Sequence, residues 1–271
     1  MNSRLLFLCT SAVALAVLPA RAVVTAYDDA SNLPYASEPG YRGVSNGDNG
    51  GFGFGAWSFS TNNGGFFTHN EDRNVNNRPE QAVNPLLQSS GGRYFALWHS
   101  DGSGFSTATR TILGGLSVGD TFSMFMEHGW VDDFRIIGFR MINASSDQQA
   151  AFYFLGGPGG GYRLDSGIAQ QSTSQGWTPE GMQVSFTLIS STTFSLEIDF
   201  LGPNTTETLN GTLQTTGGVA GFQLFSGSEF GGWERDFYSN QFTVNAIPEP
   251  STLLLGTVGL VTLALVRRRT S

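Results

Sequence analysis

Between Met182 and Leu201 two short runs carry apolar residues at every second position, and that alternation constrains the fold more than any other feature of the chain. Val184, Phe186 and Leu188 alternate with Ser185 and Thr187, and Ser191 and Thr192 then interrupt the run. On the far side Phe194, Leu196, Ile198 and Phe200 share one face, while Ser195, Glu197 and Asp199 share the other. A period of two belongs to a strand, because successive side chains leave opposite faces. One dry and one wet face, joined across a short polar turn, specify a hairpin in an antiparallel sheet. Shorter runs of the same kind occupy 52–59, 93–98, 121–126, 135–142, 150–155, 208–213, 219–225 and 237–244. Glycine-rich breaks such as 156–161 separate them, and no helical period of useful length appears before residue 247. Roughly ten to twelve short strands with turn signals between them predict an all-β, antiparallel β-sandwich of jelly-roll or concanavalin-like type. No repeat of the length of a propeller blade is present. Residues 32–45 and 67–88 lack periodicity and are expected to be long loops.

The two ends differ from this pattern. Arg4 precedes an apolar stretch from Leu5 to Leu18, and Ala20-Arg21-Ala22 follows a helix-breaking Pro19. That is the layout of a secretory signal peptide, with cleavage between Ala22 and Val23. Cys9, the only cysteine, falls in the removed segment. The mature chain is therefore expected to have neither disulfide nor thiol chemistry, and to be held by its core alone. Setting aside Glu249, Arg4, Arg21 and Arg267–Arg269 from the 22 acidic and 14 basic residues leaves 21 against 9, a net charge near −12 without a single lysine. Nucleic acid binding needs a basic footprint and is excluded on this balance.

At the C-terminus three parts occur in order. Pro248-Glu249-Pro250 blocks any helix or strand from running through it. Ser251 and Thr252 follow, and Thr252 to Val266 is uncharged and rich in Leu, Val and Gly. Arg267, Arg268 and Arg269 then stop translocation and hold that end in the cytoplasm. This run of three parts resembles the PEP-CTERM sorting signal of Gram-negative bacteria, with Ile247 where Val is commoner. The resemblance implies that an exosortase, a membrane-embedded cysteine transpeptidase, cuts at the motif and passes the protein to the surface. A permanent single-span anchor is the alternative. Fifteen helical residues rise about 23 Å, short of the ~30 Å hydrocarbon core, which favours the sorting signal. The expected organisation is a signal peptide over 1–22, a β-sandwich ectodomain over 23–245, and a sorting signal with one transmembrane helix over 246–271.

Chemistry within the ectodomain is sparse. Glu197 and Asp199 lie on one strand face, as in the laminarinase-type glycoside hydrolases, but Leu201 stands where a further carboxylate is required, so the acid–nucleophile pair is incomplete. His69, His99 and His128 are scattered and match no zinc pattern. Glu127-His128 with Asp132-Asp133, and Asn46-Gly47-Asp48-Asn49, are oxygen-rich enough for a structural calcium ion, but neither has the spacing of a known calcium loop. No catalytic residue and no metal ligand is assigned. The aromatics are the better candidates. Trp130, Trp177 and Trp233 sit in loop-like contexts and are able to stack on sugar rings, whereas Trp57 and Trp98 lie in strands and suit a core. The expectation is an exported, non-enzymatic surface protein, structural or adhesive, associated with exopolysaccharide or biofilm. A surface carbohydrate-binding module is the alternative, and a polysaccharide-active glycosidase or lyase a more distant one.

Overall fold

A computed structural model describes residues 22–32, 35, 42–69, 93–100, 104–227 and 235–247. Residues Val23–Ala246 form one compact unit. It is an antiparallel β-sandwich, as the alternation requires.

One sheet holds nine strands. They are β1 (Val23–Asp28), β2 (Arg42–Gly43), β4 (Gly64–His69), β5 (Tyr94–His99), β7 (Thr121–His128), β12 (Met182–Leu188), β13 (Thr193–Phe200), β14 (Thr205–Thr212) and β16 (Phe237–Ala246). The other holds β3 (Ser58–Ser60), β6 (Ser106–Thr111), β8 (Ile136–Ile142), β9 (Gln148–Leu155), β10 (Gly161–Asp165), β11 (Gln171–Ser172) and β15 (Gly221–Ser226). Their orders are β14-β13-β12-β7-β16-β5-β4-β2, with β1 beside β16, and β11-β10-β9-β8-β15-β6-β3. The hairpin read from the sequence is β12–β13, with Val184 opposite Ile198 and Phe186 opposite Leu196. Both members of each pair face the interior, where they meet Phe122, Phe139, Phe152 and Phe222 from strands of both sheets.

The core is aromatic as well as aliphatic. Trp57 is 1% exposed and lies within 6 Å of the rings of Phe66, Phe95, Phe222 and Phe242. Edge-to-face contacts of this kind add to the area each ring buries. Trp98 differs. It packs with Phe67, Tyr94, Ala96, Phe125 and Tyr238 in a separate cluster apart from the main core.

Several strand expectations needed adjustment. The run at 52–59 is not one strand: Phe52 and Phe54 make isolated bridges to Tyr27 and Ile112, and only 58–60 is regular. Trp57 therefore precedes β3 rather than lying in it. The short strands β2, β10 and β11, the threonine-rich β6, the N-terminal β1 and β4 raise the total among the described residues to sixteen. Part of the expected 67–88 loop is the end of β4; residues 70–92 lie outside the described part. No helix among the described residues is long and apolar enough to cross a membrane, and the expected transmembrane segment lies outside them.

Candidate functional site

Among the described residues, two surfaces of the sandwich present chemistry. The first is the end built by the loop between β7 and β8. Trp130 is 62% exposed there, and Phe134 is 77% exposed. Between them Val131 is buried, and the carboxylate of Asp132 is paired with Arg235. Arg135 N–H donates to the carbonyl of Asp132 over 3.0 Å, closing a tight turn that places Phe134 at φ 62°. That region is costly for a residue with a Cβ and is usually left to glycine or asparagine. Gly156 lets this loop approach closely, since a Cβ there would lie 2.3 Å from the carbonyl oxygens of Val131 and Asp132.

Trp177 comes to the same end. Its indole N–H donates to the carbonyl of His128 over 3.2 Å, two residues before Trp130, and its ring is half-buried. Its segment is held by Glu207 of β14, whose carboxylate accepts hydrogen bonds from Ser174 and Gln175. Beneath, His128 is buried against Phe154 and Tyr162, and burial pushes its imidazole down to about 4. The structure thus brings Trp130 and Trp177 together at one end, and adds Phe134. Trp233 lies outside the described residues, as do Ala20 of the expected cleavage site and the motif residues Pro248, Glu249, Pro250, Ser251, Thr252, Arg267, Arg268 and Arg269. Ala22, also of the expected cleavage site, is exposed immediately before β1.

The second surface is the outer face of the seven-stranded sheet, where a cleft of about 200 Å³ is lined by Phe105, Ile136, Arg140, Tyr153, Asp165 and Phe225, among others. Strand register explains it. Arg163, Tyr153, Gly138, Phe225 and Thr107 form one row across β10, β9, β8, β15 and β6. Asp165, Ala151, Arg140, Gln223 and Thr109 form the next. Gly138 leaves a gap between Tyr153 and Phe225, and it has to be glycine: a Cβ would lie 2.2 Å from the carbonyl oxygen of Phe152. Arg140 donates from Nε to Gln223 Oε1 over 2.8 Å and from Nη2 to the same oxygen, and Gln223 passes a hydrogen bond on to Thr109 over 2.6 Å. Burial pushes the Arg140 guanidinium down from its ordinary range.

The other candidates are placed as follows. Glu197 is exposed, and Asp199 accepts from the Thr206 hydroxyl over 3.2 Å. His99 is buried and shares a hydrogen bond with Ser106. Asp48 pairs with Arg42 at 3.3 Å and caps the turn at Ser45, while Asn49 is taken up by Arg110. Among the described residues no three His, Cys, Asp or Glu side chains converge.

Among solved structures the chain is similar to a carbohydrate esterase from the Shiga toxin-encoding bacteriophage phi24B, at 12% identity over 84% of this chain and 100% of that one, with a TM-score of 0.47. It is also similar to domain 4 of AbnA, a GH43 extracellular arabinanase from Geobacillus stearothermophilus in complex with arabinotriose (14% identity, 83% and 93% covered, TM-score 0.40). A third is the CBM2 module of the evolved Dit of Lactobacillus casei BL23 phage J-1 (10%, 58% and 76%, TM-score 0.40). No curated protein sequence matches the chain. Residues 246–269 match the PEP-CTERM protein-sorting motif, which implies an exported protein, transiently anchored in the membrane and processed by an exosortase.

Proposed function

We propose that the protein is a non-enzymatic component of the bacterial surface, delivered by its tail and contacting extracellular polysaccharide in a structural or adhesive role. The observation that carries delivery is the sorting motif at 246–269. Support for the sugar contact is the display of Trp130 and Phe134, two large apolar rings left to solvent on one loop, with Trp177 at the same end. Exposed aromatics of this kind suit the apolar face of a pyranose, with the neighbouring Asp133 able to take hydroxyls. A purely non-catalytic role is favoured over hydrolysis because Glu197 and Asp199 have Leu201 beyond them in place of another acid.

Mass spectrometry of the surface-released protein tests delivery. The tail beyond the Pro-Glu-Pro motif is expected to be missing, and to be retained in cells lacking the exosortase. Surface protein that still carries Arg267-Arg268-Arg269 sinks the sorting role. Pull-down on extracellular polysaccharide, compared between the wild type and Trp130→Ala, tests the contact. Equal retention of the two removes the loop from the proposal.

A further inference from the structure

Resting on the sugar-contacting role above, we infer that the cleft on the outer face of the seven-stranded sheet is a second saccharide site, selective for a uronate ring whose carboxylate is taken by Arg140. Arg140 is the central observation. It is partly buried beside Tyr153 and Phe225, and among the described residues no carboxylate pairs with it. Its Nε and Nη2 are committed to Gln223, while Nη1 has no hydrogen-bond partner among the described residues. A half-desolvated cation without a counter-ion is uncommon, because a charge removed from water needs a partner. Asp165 is not that partner. Ala151 stands between them in the row, so their backbones are two strands apart, about 9–10 Å, and the two side chains form no ion pair. Gln148 already donates to the Asp165 carboxylate over 3.2 Å.

The remaining lining suits a sugar ring. Tyr153 and Phe225 flank the Gly138 floor, and the Tyr153 hydroxyl is held by Gln170 over 2.6 Å, with Gln170 in turn held by Arg163. Phe105 is 45% exposed and meets Phe225 edge to face at 6.1 Å. The guanidinium cannot swing away, because Gln223 grips it and Thr109 fixes the amide of Gln223. This preorganisation lowers the cost of binding. At about 200 Å³ the cleft falls below the ~300–1,000 Å³ of sites that enclose a drug-sized molecule, so it accommodates about one ring of a chain lying across the strands. One arginine in a domain this acidic matches one carboxylate per ring. Phosphate and sulfate esters, with more oxygens to satisfy, would ask for further donors.

Calorimetry on the full chain tests the site with galacturonate, glucuronate and mannuronate trisaccharides, each beside the same trisaccharide with its carboxyls reduced to alcohols. At least one acidic member is expected to bind about tenfold or more tighter than its reduced twin, and Arg140→Gln to abolish that preference. Tyr153→Ala should weaken both twins. Equal binding of acidic and reduced twins by the wild type overturns the inference without any variant, so misfolding of Arg140→Gln cannot protect it. Tighter binding of a sulfated trisaccharide than of every uronate also overturns it. Binding of reduced sugars alone, lost in Trp130→Ala, leaves the sugar-contacting role standing and removes the uronate site. No binding of any member removes both.

Discussion

Phe134 shows how much a single residue can reveal. An aromatic at φ 62°, 77% exposed, has both an unfavourable backbone and an unfavourable contact with water. Such strain costs of order 1–3 kcal/mol and is retained where a side chain has to be displayed. Phe134→Gly is therefore expected to leave thermal stability unchanged or raise it by a few degrees, while weakening retention on polysaccharide. A clear fall in melting temperature would show that Phe134 supports the fold instead. His128 yields a prediction of opposite character. Its Nδ1–H donates to the Gly129 carbonyl over 2.9 Å, and its Nε2 is buried without a hydrogen-bond partner among the described residues. Burial disfavours the imidazolium, so the folded chain keeps the ring neutral down to about pH 4, whereas the unfolded chain protonates it near 6.5. Below pH 6.5 the unfolded state binds the extra proton, so the contribution of the neutral ring is full above 6.5 and is lost as pH falls towards 4. The loss amounts to about 3 kcal/mol. His128→Gln has nothing to titrate there. In urea denaturation at a series of pH values, the wild-type advantage over this variant should shrink between 6.5 and 4, and a constant gap would refute the neutral, buried ring.

At the scale of elements, what was legible in the sequence was whatever a single strand declares by itself. The β12–β13 hairpin follows from its alternation, and β7, β8, β9, β15 and β16 lie within a few residues of where their apolar periods place them. β6 escaped because its core-facing positions are Ser106, Ala108 and Arg110, so the alternation carries no hydrophobic signal. β10 was hidden by its length and by the glycines before it. The uronate cleft was invisible for a different reason: its rows are made by register between strands far apart in sequence. Gly138 and Arg140 could be seen to share a face of one strand. That Tyr153 and Phe225 stand on either side of Gly138 depends on pairings over 15 and 87 positions, which no local pattern encodes. The edges obey a simpler rule. β2, β3 and β11, at three of the four sheet ends, have only two or three residues, and the fourth, β14, turns Thr206, Thr208 and Asn210 to solvent. Short or polar edges discourage pairing with a second chain.

For the whole molecule, β1 pairs the first strand of the sandwich with the last and ties that sheet to the other one. β16 pairs with β7 along its length, but its other side changes partner: Phe237 to Ser239 face β5, and Phe242 to Ala246 face β1. The change occurs at a bulge where Gln241 takes φ 54°. Val23 thus sits opposite Ala246, so the expected start of the mature chain and its exit toward the sorting tail are neighbours on adjacent strands. The far end of β1 does something more. Asp28 crosses to the other sheet and pairs with Arg110 of β6, both side chains fully buried. The guanidinium also donates to the carbonyls of Gly55 and Gly50 and lies over the rings of Phe54 and Trp57 at 5.2 and 5.0 Å. A charge held so deeply depends on its counter-ion. Removing one partner of a buried pair costs about 3–5 kcal/mol, while replacing both by apolar groups can come close to neutral. Asp28→Asn should accordingly lose about that much in urea denaturation at neutral pH, and deletion of 23–28 at least as much, because it also opens the side of β16. Asp28→Leu combined with Arg110→Met should recover part of the loss but not all of it, since the Gly50 and Gly55 carbonyls stay buried without their donor. If Asp28→Asn costs less than about 1 kcal/mol, the two sheets are joined by apolar packing alone, and the N-terminal strand is an accessory to the fold rather than its fastening.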